Sequence, residues 1–229
     1  FIPFLTCGDP SLEITEQLVY AMEEAGADLI ELGIPFSDPT AEGPVIQEAN
    51  VRALSGGVTT DKIFAMVEKI RKKTTIPMVF MTYANVVLSY KMVEGNMSGL
   101  ILPDVPYEGK GEFDVVLKKY ELDLISMIVP TSHQRIQTIA KDAGGFIYCV
   151  SGVTGIQSTI TTDISAMVHL VREVADVPVA VGFGISTPEQ AKKMADQSDG
   201  AIEKIVEKYG KDAHKYVEEY VKEMVEAIK

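Results

Sequence analysis

Short apolar segments alternate with segments of helical periodicity along the whole chain, and this alternation restricts the fold more than any other feature. The apolar segments are rich in Ile, Val and Leu, which is typical of parallel strands covered on both faces. The predicted strands are Phe1–Thr6, Asp28–Gly33, Pro77–Tyr83, Gly99–Pro103, Leu124–Val129, Phe146–Val150 and Pro178–Val181, with a weak eighth near Gly200. No linker or low-complexity segment interrupts the pattern.

Seven or eight strand–helix units in 229 residues favour an α/β fold, a closed (β/α)8 TIM barrel in which residues 1–229 form a single domain. The alternative is an open flavodoxin-like sheet, which usually has about five strands.

Two helix starts are marked by capping residues. Asp9 with Pro10 is expected to open the helix after the first strand, and Thr187 with Pro188 the helix after the seventh.

The charge and the rare residues exclude several classes of protein. A net charge of −12 argues against partners such as nucleic acid or an anionic membrane surface. The sequence has no apolar run of about 18 residues and no signal-peptide pattern, so a cytoplasmic protein is expected. Two cysteines, Cys7 and Cys149, are expected to be buried free thiols. The three histidines lack the spacing of metal ligands, so no metal site is predicted.

A carboxylate interrupts the second predicted strand at Glu31. Both faces of a barrel strand are covered, and Glu31 would share the barrel interior with Leu29 and Gly33. An ionised carboxylate there is costly unless a partner compensates it. A structural ion pair and a catalytic acid or base are the two alternatives. Because the predicted strands contain no Arg or Lys, catalysis is favoured, and barrel enzymes place catalytic groups at the carboxyl ends of strands.

The loop that follows, Pro35–Pro44, carries two further carboxylates, Asp38 and Glu42. The pair formed by Asp38 and Pro39 predicts a shaped turn. Asp38 therefore has two interpretations, an Asx-type turn or a functional group. From spacing alone, Glu42 is more readily a solvated side chain than a catalytic one.

Two glycine-rich segments follow late strands. SGVTG, Ser151–Gly155, comes after the sixth predicted strand, and GFGIST, Gly182–Thr187, comes after the seventh. Glycines at the carboxyl end of a barrel strand let backbone N–H groups approach a phosphate, although plain turns use the same residues. Tyr83 and Tyr148 end apolar strands, where each is either a core residue or part of a pocket wall.

Taken together, these motifs resemble one family, the tryptophan synthase α subunit. The resemblance is strongest in ELGIPFSDPTAEGPVIQ and continues in order through PFLTCGDP, MTYANVV, LPDVP, GVTG and VGFGIS. It implies a (β/α)8 barrel that cleaves indole-3-glycerol phosphate to indole and glyceraldehyde 3-phosphate, a carbon–carbon lyase reaction of tryptophan biosynthesis. It also implies no cofactor in this chain, with pyridoxal phosphate held by a partner β subunit in an α2β2 assembly that receives the indole.

The resemblance assigns site residues by position. Glu31 matches the family's catalytic glutamate, which protonates the indole ring at C3 and removes the proton of the glycerol hydroxyl. Glu42 matches the catalytic aspartate, which accepts a hydrogen bond from the indole nitrogen. The other matches are substrate contacts at Tyr83, Tyr148, Thr154, Gly155 and Phe183, phosphate contacts at Gly155, Gly182 and Gly184, and partner-interface positions at Pro35 and Asp38. Asp104 matches a position whose role is expected to be structural.

The sequence also departs from the family pattern. Glu42 is one methylene longer than the aspartate, and a misplacement of about 1 Å can reduce a rate ~10²-fold. The family's Gly-Ser pair after the eighth strand is missing, and the third crossover and the SGVTG loop are short. We expect residues to be missing from the numbering between Tyr90 and Lys91, between Ser151 and Gly152, and between Ile202 and Glu203, so that the members of each pair are separated in space. The alternative is that these residues are genuinely deleted.

Three functions remain open at this point. The first is the lyase. The second is a catalytically weakened α subunit that acts as an allosteric scaffold for the β subunit, motivated by Glu42 and by the missing Gly-Ser pair. The third is another phosphate-binding barrel, such as a sugar-phosphate isomerase, which the motif around the second strand makes a poor fit.

Overall fold

A sheet of parallel strands runs round the centre of the molecule and positions the site. The computed structural model describes residues 1–89, 97–150, 164–182, 185, 187–204 and 213–229. In these ranges the strands are β1 (Ile2–Thr6), β2 (Ile30–Gly33), β3 (Met78–Met81), β4 (Gly99–Ile101), β5 (Asp123–Leu124), β6 (Ser126–Ile128), β7 (Ile147–Val150), β8 (Val179–Gly182) and β9 (Gly200–Lys204). Their order is β5-β4-β3-β2-β1-β9-β8-β7-β6, and every ladder is parallel. The predicted TIM barrel is confirmed.

Helices connect the strands, as parallel neighbours require. The α-helices in the described ranges are α1 (Leu12–Glu24), α2 (Pro44–Ser55), α3 (Thr60–Arg71), α4 (Ala84–Ser89), α5 (Lys110–Leu117), α6 (Ile136–Lys141), α7 (Ile164–Arg172), α8 (Pro188–Ala195) and α9 (Ala213–Ile228). The same ranges contain the short 3-10 segments Tyr107–Gly109, Lys118–Tyr120 and Pro130–Arg135. Because α2 and α3 both follow β2, the connection from β2 to β3 carries an additional helix next to the candidate catalytic loop.

The fifth predicted strand, Leu124–Val129, is divided between two neighbours. The first part, β5, pairs with β4, and the second part, β6, pairs with β7. Ile125 lies between them, and its N–H donates to the carbonyl of Leu100 at 2.9 Å. The two ends of the sheet are therefore consecutive pieces of chain, so the chain itself closes the barrel.

The eighth strand is stronger than the sequence suggested. β9 runs continuously through Ile202 and Glu203 and pairs with β8 on one side and with β1 on the other. The chain break expected near Ile202–Glu203 is therefore wrong. The charged residues at the end of β9 had suggested that a helix starts there, whereas both neighbouring strands pair with this segment. β9 also contains Lys204, so the strands are not free of basic residues. The expected breaks near Tyr90–Lys91 and Ser151–Gly152 lie outside the described residues.

Strand alternation separates a barrel interior from an outer helical layer. Along β1, Ile2 and Phe4 belong to the interior cluster, whereas Leu5 packs with the helices. The interior cluster also contains Val79, Met81, Ile101, Ile125, Phe146, Tyr148, Val150, Ala180 and Ile202. Ile46 on α2 joins it as well. The start of α2 therefore packs onto the strand interior and fixes one end of the loop that precedes it.

One predicted helix cap is confirmed and the other is wrong. Thr187 caps α8, where its hydroxyl accepts from the N–H of Gln190 at 3.3 Å. The cap of α1 is Ser11 and not Asp9, so the helix starts later than predicted. Asp9 is buried and is instead bound by Arg52 of α2, whose Nε and Nη2 donate to the two carboxylate oxygens at 2.9 and 2.8 Å.

Replacing Arg52 with Ala should destabilise the protein by about 2 kcal/mol, because the buried carboxylate of Asp9 loses two charge-assisted hydrogen bonds. Arg135 offers a matched control, since its Nη2 contacts both carboxylate oxygens of Glu108 on the exposed surface. Exposed pairs contribute little, so Arg135→Ala should leave the denaturation midpoint almost unchanged. Urea denaturation of both variants measures the difference, and equal losses would show that the pairing of Arg52 with the buried Asp9 contributes no more than an exposed pair.

The described residues include both cysteines but neither a membrane-spanning helix nor a metal-binding cluster. None of their helices is both long and apolar enough to cross a membrane. They contain no group of three or more His, Cys, Asp or Glu side chains arranged to hold a metal ion. Cys7 and Cys149 are buried free thiols, as predicted, and burial raises the pKa of Cys149 to about 12. Burial also raises the pKa of Cys7, so both thiols are poor nucleophiles.

Candidate active site

Glu31 lies inside the barrel, where the strand alternation placed it. It pairs in register with Phe4 on β1 and Val79 on β3, and both of these side chains belong to the interior cluster. Glu31 is 1% exposed. It stands two residues before Gly33 at the carboxyl end of β2, the end at which barrel enzymes carry their catalytic groups. The predicted parallel pairing of the first two strands is confirmed.

Tyr148 on β7 is a second fully buried polar side chain, and it lies near Glu31 inside the barrel. It is 1% exposed, and burial together with the nearby Glu31 carboxylate raises the pKa of Tyr148 well above its ordinary value. The phenol therefore stays protonated beside the carboxylate. β2 and β7 are separated in the ring by β1, β9 and β8, so the two side chains approach each other across the barrel interior.

Gly182, one of the three predicted phosphate contacts, ends β8 beside Tyr148. A Cβ added at Gly182 would lie 2.4 Å from the Tyr148 hydroxyl oxygen and 2.7 Å from its Cζ. Since the Tyr148 ring is fully buried, position 182 must be glycine for this tyrosine to occupy the interior. The glycine thus has a packing reason in addition to its predicted role at the phosphate.

The hydroxyl of Tyr83, just beyond β3, holds the loop that carries Glu42. It accepts hydrogen bonds from the N–H groups of Thr40 and Ala41, each at 2.9 Å, and donates to the Glu42 carboxylate. Burial and the bond to Glu42 raise the pKa of Tyr83 to about 12, so the hydroxyl remains a donor. Glu42 is therefore not a freely solvated side chain, since the Tyr83 hydroxyl fixes its carboxylate.

Other contacts within the loop shape it further. The Phe36 ring packs against the Tyr83 ring, with centroids 5.1 Å apart and planes tilted by 31°. Gln47 on α2 donates to the carbonyl of Glu42 at 2.9 Å. Of the two predicted interface positions, Pro35 is buried within the chain and Asp38 is exposed, with its carboxylate accepting from Ser37 at 2.5 Å. Asp38 is thus the one of the pair that is open to a partner.

Phe4 is an interior residue that the site prediction missed. Its ring lies against Gly33, where an added Cβ would be 2.5 Å from the Phe4 Cζ. It also pairs in register with Glu31, so it lines the same space as the carboxylate. The alternation of Ile2 and Phe4 in the first strand was the signal that could have identified it.

Asp104, after β4, has the structural role expected of it. Its two carboxylate oxygens accept from the N–H of Ala84 at 3.0 and 3.2 Å, at the first residue of α4. It therefore holds the start of α4, directly after Tyr83. Thr154, Gly155, Phe183 and Gly184, the remaining predicted substrate and phosphate contacts, lie outside the described residues.

Comparison with known proteins agrees with this arrangement. The model of the family described as "Tryptophan synthase alpha chain" matches residues 1–229. The tryptophan synthase alpha chain of Lacticaseibacillus casei is 43% identical over 242 residues, which covers 100% of this chain and 91% of the relative. The alignment is longer than the 229 residues of the chain, so the relative has residues that this chain lacks within the matched region.

Solved structures show the same similarity in three dimensions. Tryptophan synthase subunit alpha from Legionella pneumophila str. Paris superimposes with a TM-score of 0.87 at 34% identity, covering 99% of this chain and 91% of that one. A chain from the tryptophan synthase a2b2 complex of Pyrococcus furiosus gives a TM-score of 0.85 at 27% identity, covering 99% and 97%. The fold, the buried carboxylate on its second strand and these matches agree, and the chain belongs to the tryptophan synthase alpha chain family.

Proposed function

We propose that this chain cleaves indole-3-glycerol phosphate to indole and glyceraldehyde 3-phosphate, the carbon–carbon lyase reaction of its family, in the service of tryptophan biosynthesis. The observation that carries the proposal is Glu31, a carboxylate fully buried in the barrel interior near the carboxyl ends of the strands. A barrel does not need a charge at such a place for its stability, whereas proton transfer to a bound substrate does.

In the first step the protonated Glu31 gives its proton to C3 of the indole ring. C3 becomes tetrahedral, and positive charge develops on the ring nitrogen. The carboxylate of Glu42 accepts the hydrogen bond of that N–H and stabilises the charge. Tyr83 holds this carboxylate through its hydroxyl, so a contact with the segment just beyond β3 accommodates the extra methylene of Glu42.

In the second step the Glu31 carboxylate removes the proton from the hydroxyl next to the bond that breaks. The oxygen forms a carbonyl, the C3–C1′ bond breaks, and its electrons return to the ring and neutralise the charge on nitrogen. The products are indole and glyceraldehyde 3-phosphate, and Glu31 is protonated again for the next cycle.

The rest of the site is assigned by position. We infer that Gly182 contributes to the phosphate site at the end of β8, together with Gly155 and Gly184, and that Tyr148, Thr154 and Phe183 line the pocket. We also infer that residues 1–229 form one barrel domain, that the protein is cytoplasmic, and that this chain itself needs neither a cofactor nor a metal for the reaction. The pyridoxal phosphate belongs to the partner β subunit.

Steady-state release of indole from indole-3-glycerol phosphate tests the proposal. The isolated chain should release indole slowly, and a β subunit should accelerate the release. If the chain releases no indole alone or in the complex but still activates the β subunit, the lyase is excluded and the scaffolding function takes its place. Turnover of other sugar phosphates without indole release would point to an unrelated barrel enzyme.

We also propose that the chain works in an α2β2 complex, since one of the similar structures comes from such a complex. The exposed Asp38 in the loop between β2 and α2 is the position assigned to that interface. Asp38→Ala should reduce the activation by the β subunit about fivefold, while basal cleavage stays within about twofold, because the carboxylate acts between the subunits. Glu48→Ala, also exposed nearby on α2, is the control. Equal loss of basal and activated rates would contradict the interface role.

A further inference from the structure

Thr6 carries a buried hydroxyl that the proposed mechanism does not use. It is the last residue of β1 and is 6% exposed. Its Oγ1 is shielded from solvent and has no hydrogen-bond partner among the described residues. A buried hydroxyl without a partner is destabilising, so a protein that keeps one requires an explanation.

The Thr6 side chain points into the barrel interior. Ile2 and Phe4, which alternate with it along β1, belong to the interior cluster. Leu5 and Cys7, the residues on either side of it, belong to the outer helical layer. The hydroxyl therefore faces the space that contains Glu31, at the carboxyl end of the strands.

The strand order places Thr6 between two parts of the proposed site. On one side β1 pairs with β2, which carries Glu31, and Thr6 itself is in register with Gly33. On the other side β1 pairs with β9, which pairs with β8 and its terminal Gly182. Thr6 thus lies between the proton-transfer group and the strand assigned to the phosphate.

The proposed substrate has a matching middle section. In indole-3-glycerol phosphate, two hydroxyl groups lie between the bond that breaks and the phosphate. We propose that the Thr6 hydroxyl binds this glycerol chain through a hydrogen bond to one of its hydroxyls, an inference that rests on the proposed function. A threonine hydroxyl both donates and accepts, so it suits an alcohol, and substrate binding would give the buried Oγ1 its partner.

Thr82, the residue directly after β3, provides a matched control. It is 2% exposed, and its Oγ1 is likewise buried without a hydrogen-bond partner among the described residues. Met78 and Phe80, which alternate with it, belong to the outer helical layer, so its hydroxyl faces away from the barrel interior. The two threonines share residue type, burial and lack of a partner, and they differ in the side of the sheet they face.

The experiment compares two ligands in a Glu31→Gln background, in which turnover is expected to be slow enough for binding to be measured. One is indole-3-glycerol phosphate, and the other is indole-3-propanol phosphate, which has the same ring and phosphate but neither glycerol hydroxyl. Adding Thr6→Val should weaken binding of the first about tenfold and leave the second within about twofold. Adding Thr82→Val should change neither, and adding Thr6→Ser should restore the affinity for the first ligand.

Steady-state kinetics of the single variant, with Glu31 intact, provides a second measurement. Thr6→Val should lower kcat/KM for indole-3-glycerol phosphate by a similar factor without shifting its pH profile, because the hydroxyl acts on the substrate and not through Glu31. Equal weakening of both ligands would show a merely structural role, and unchanged affinity for both would overturn the contact. If both ligands bind as expected but the native chain releases no indole, the lyase fails while the Thr6 contact stands.

Discussion

Glu31→Gln is expected to reduce the release of indole from indole-3-glycerol phosphate by about 10³-fold. Glutamine has nearly the same shape as glutamate, so the barrel interior stays filled. Its amide, however, can neither protonate C3 of the ring nor accept the proton of the glycerol hydroxyl. Because one side chain performs both transfers, its replacement removes both steps of the mechanism. Steady-state indole release measures the loss, and the melting temperature shows that the barrel remains folded.

Glu16→Gln is the matched control, since Glu16 is another buried glutamate in a different setting. On α1 it accepts from Lys69 at 2.6 Å and from the Tyr20 hydroxyl at 3.0 Å, within the outer helical layer. Its replacement should lower stability without changing indole release beyond about twofold. Retention of full activity in Glu31→Gln would remove the basis of the proposed mechanism.

Tyr83→Phe is expected to lower kcat/KM for cleavage by about 10²-fold, because a small displacement of a catalytic group is costly. Phenylalanine keeps the ring that packs against Phe36. It loses the oxygen that accepts from Thr40 and Ala41, and it loses the donor that holds Glu42. The loop and its carboxylate would then take up several positions in place of one, and charge on the ring nitrogen would be poorly stabilised. Steady-state kinetics of the isolated chain measures the effect.

Tyr107→Phe controls for the loss of a phenol that donates to a carboxylate. The Tyr107 hydroxyl donates to Asp142 at 2.5 Å on an exposed surface outside the barrel interior. Its removal should leave kcat/KM unchanged within about twofold. Unchanged cleavage in Tyr83→Phe would mean that Glu42 reaches its position without the Tyr83 hydroxyl.

The apolar segments predicted the barrel because the burial of a strand is visible in consecutive residues of the sequence. A parallel strand covered on both faces must be apolar along its length, so a single carboxylate such as Glu31 stands out against its neighbours. Alternation along the strand then decides which face it occupies, and the structure agrees. This much of the site follows from residues that are adjacent in sequence.

The rest depends on contacts between distant segments, which no local pattern contains. Asp9 has the right type for a helix cap, but Arg52 binds it, so Ser11 takes that role. β9 ends in charged residues and is nevertheless a strand, because two neighbours pair with it. The bond from Tyr83 to Glu42 joins residues that only the closed barrel brings together.

That last contact has an evolutionary consequence. When only its own backbone positions a catalytic carboxylate, substitution between aspartate and glutamate moves the carboxylate. Selection then removes the substitution. Here the Tyr83 hydroxyl, just beyond β3, fixes the carboxylate end of the side chain, so position 42 can be either acid as long as the loop adjusts its backbone slightly. Positions 42 and 83 are therefore expected to change as a pair among descendants of this chain: loss of the tyrosine would restore the pressure for the shorter acid.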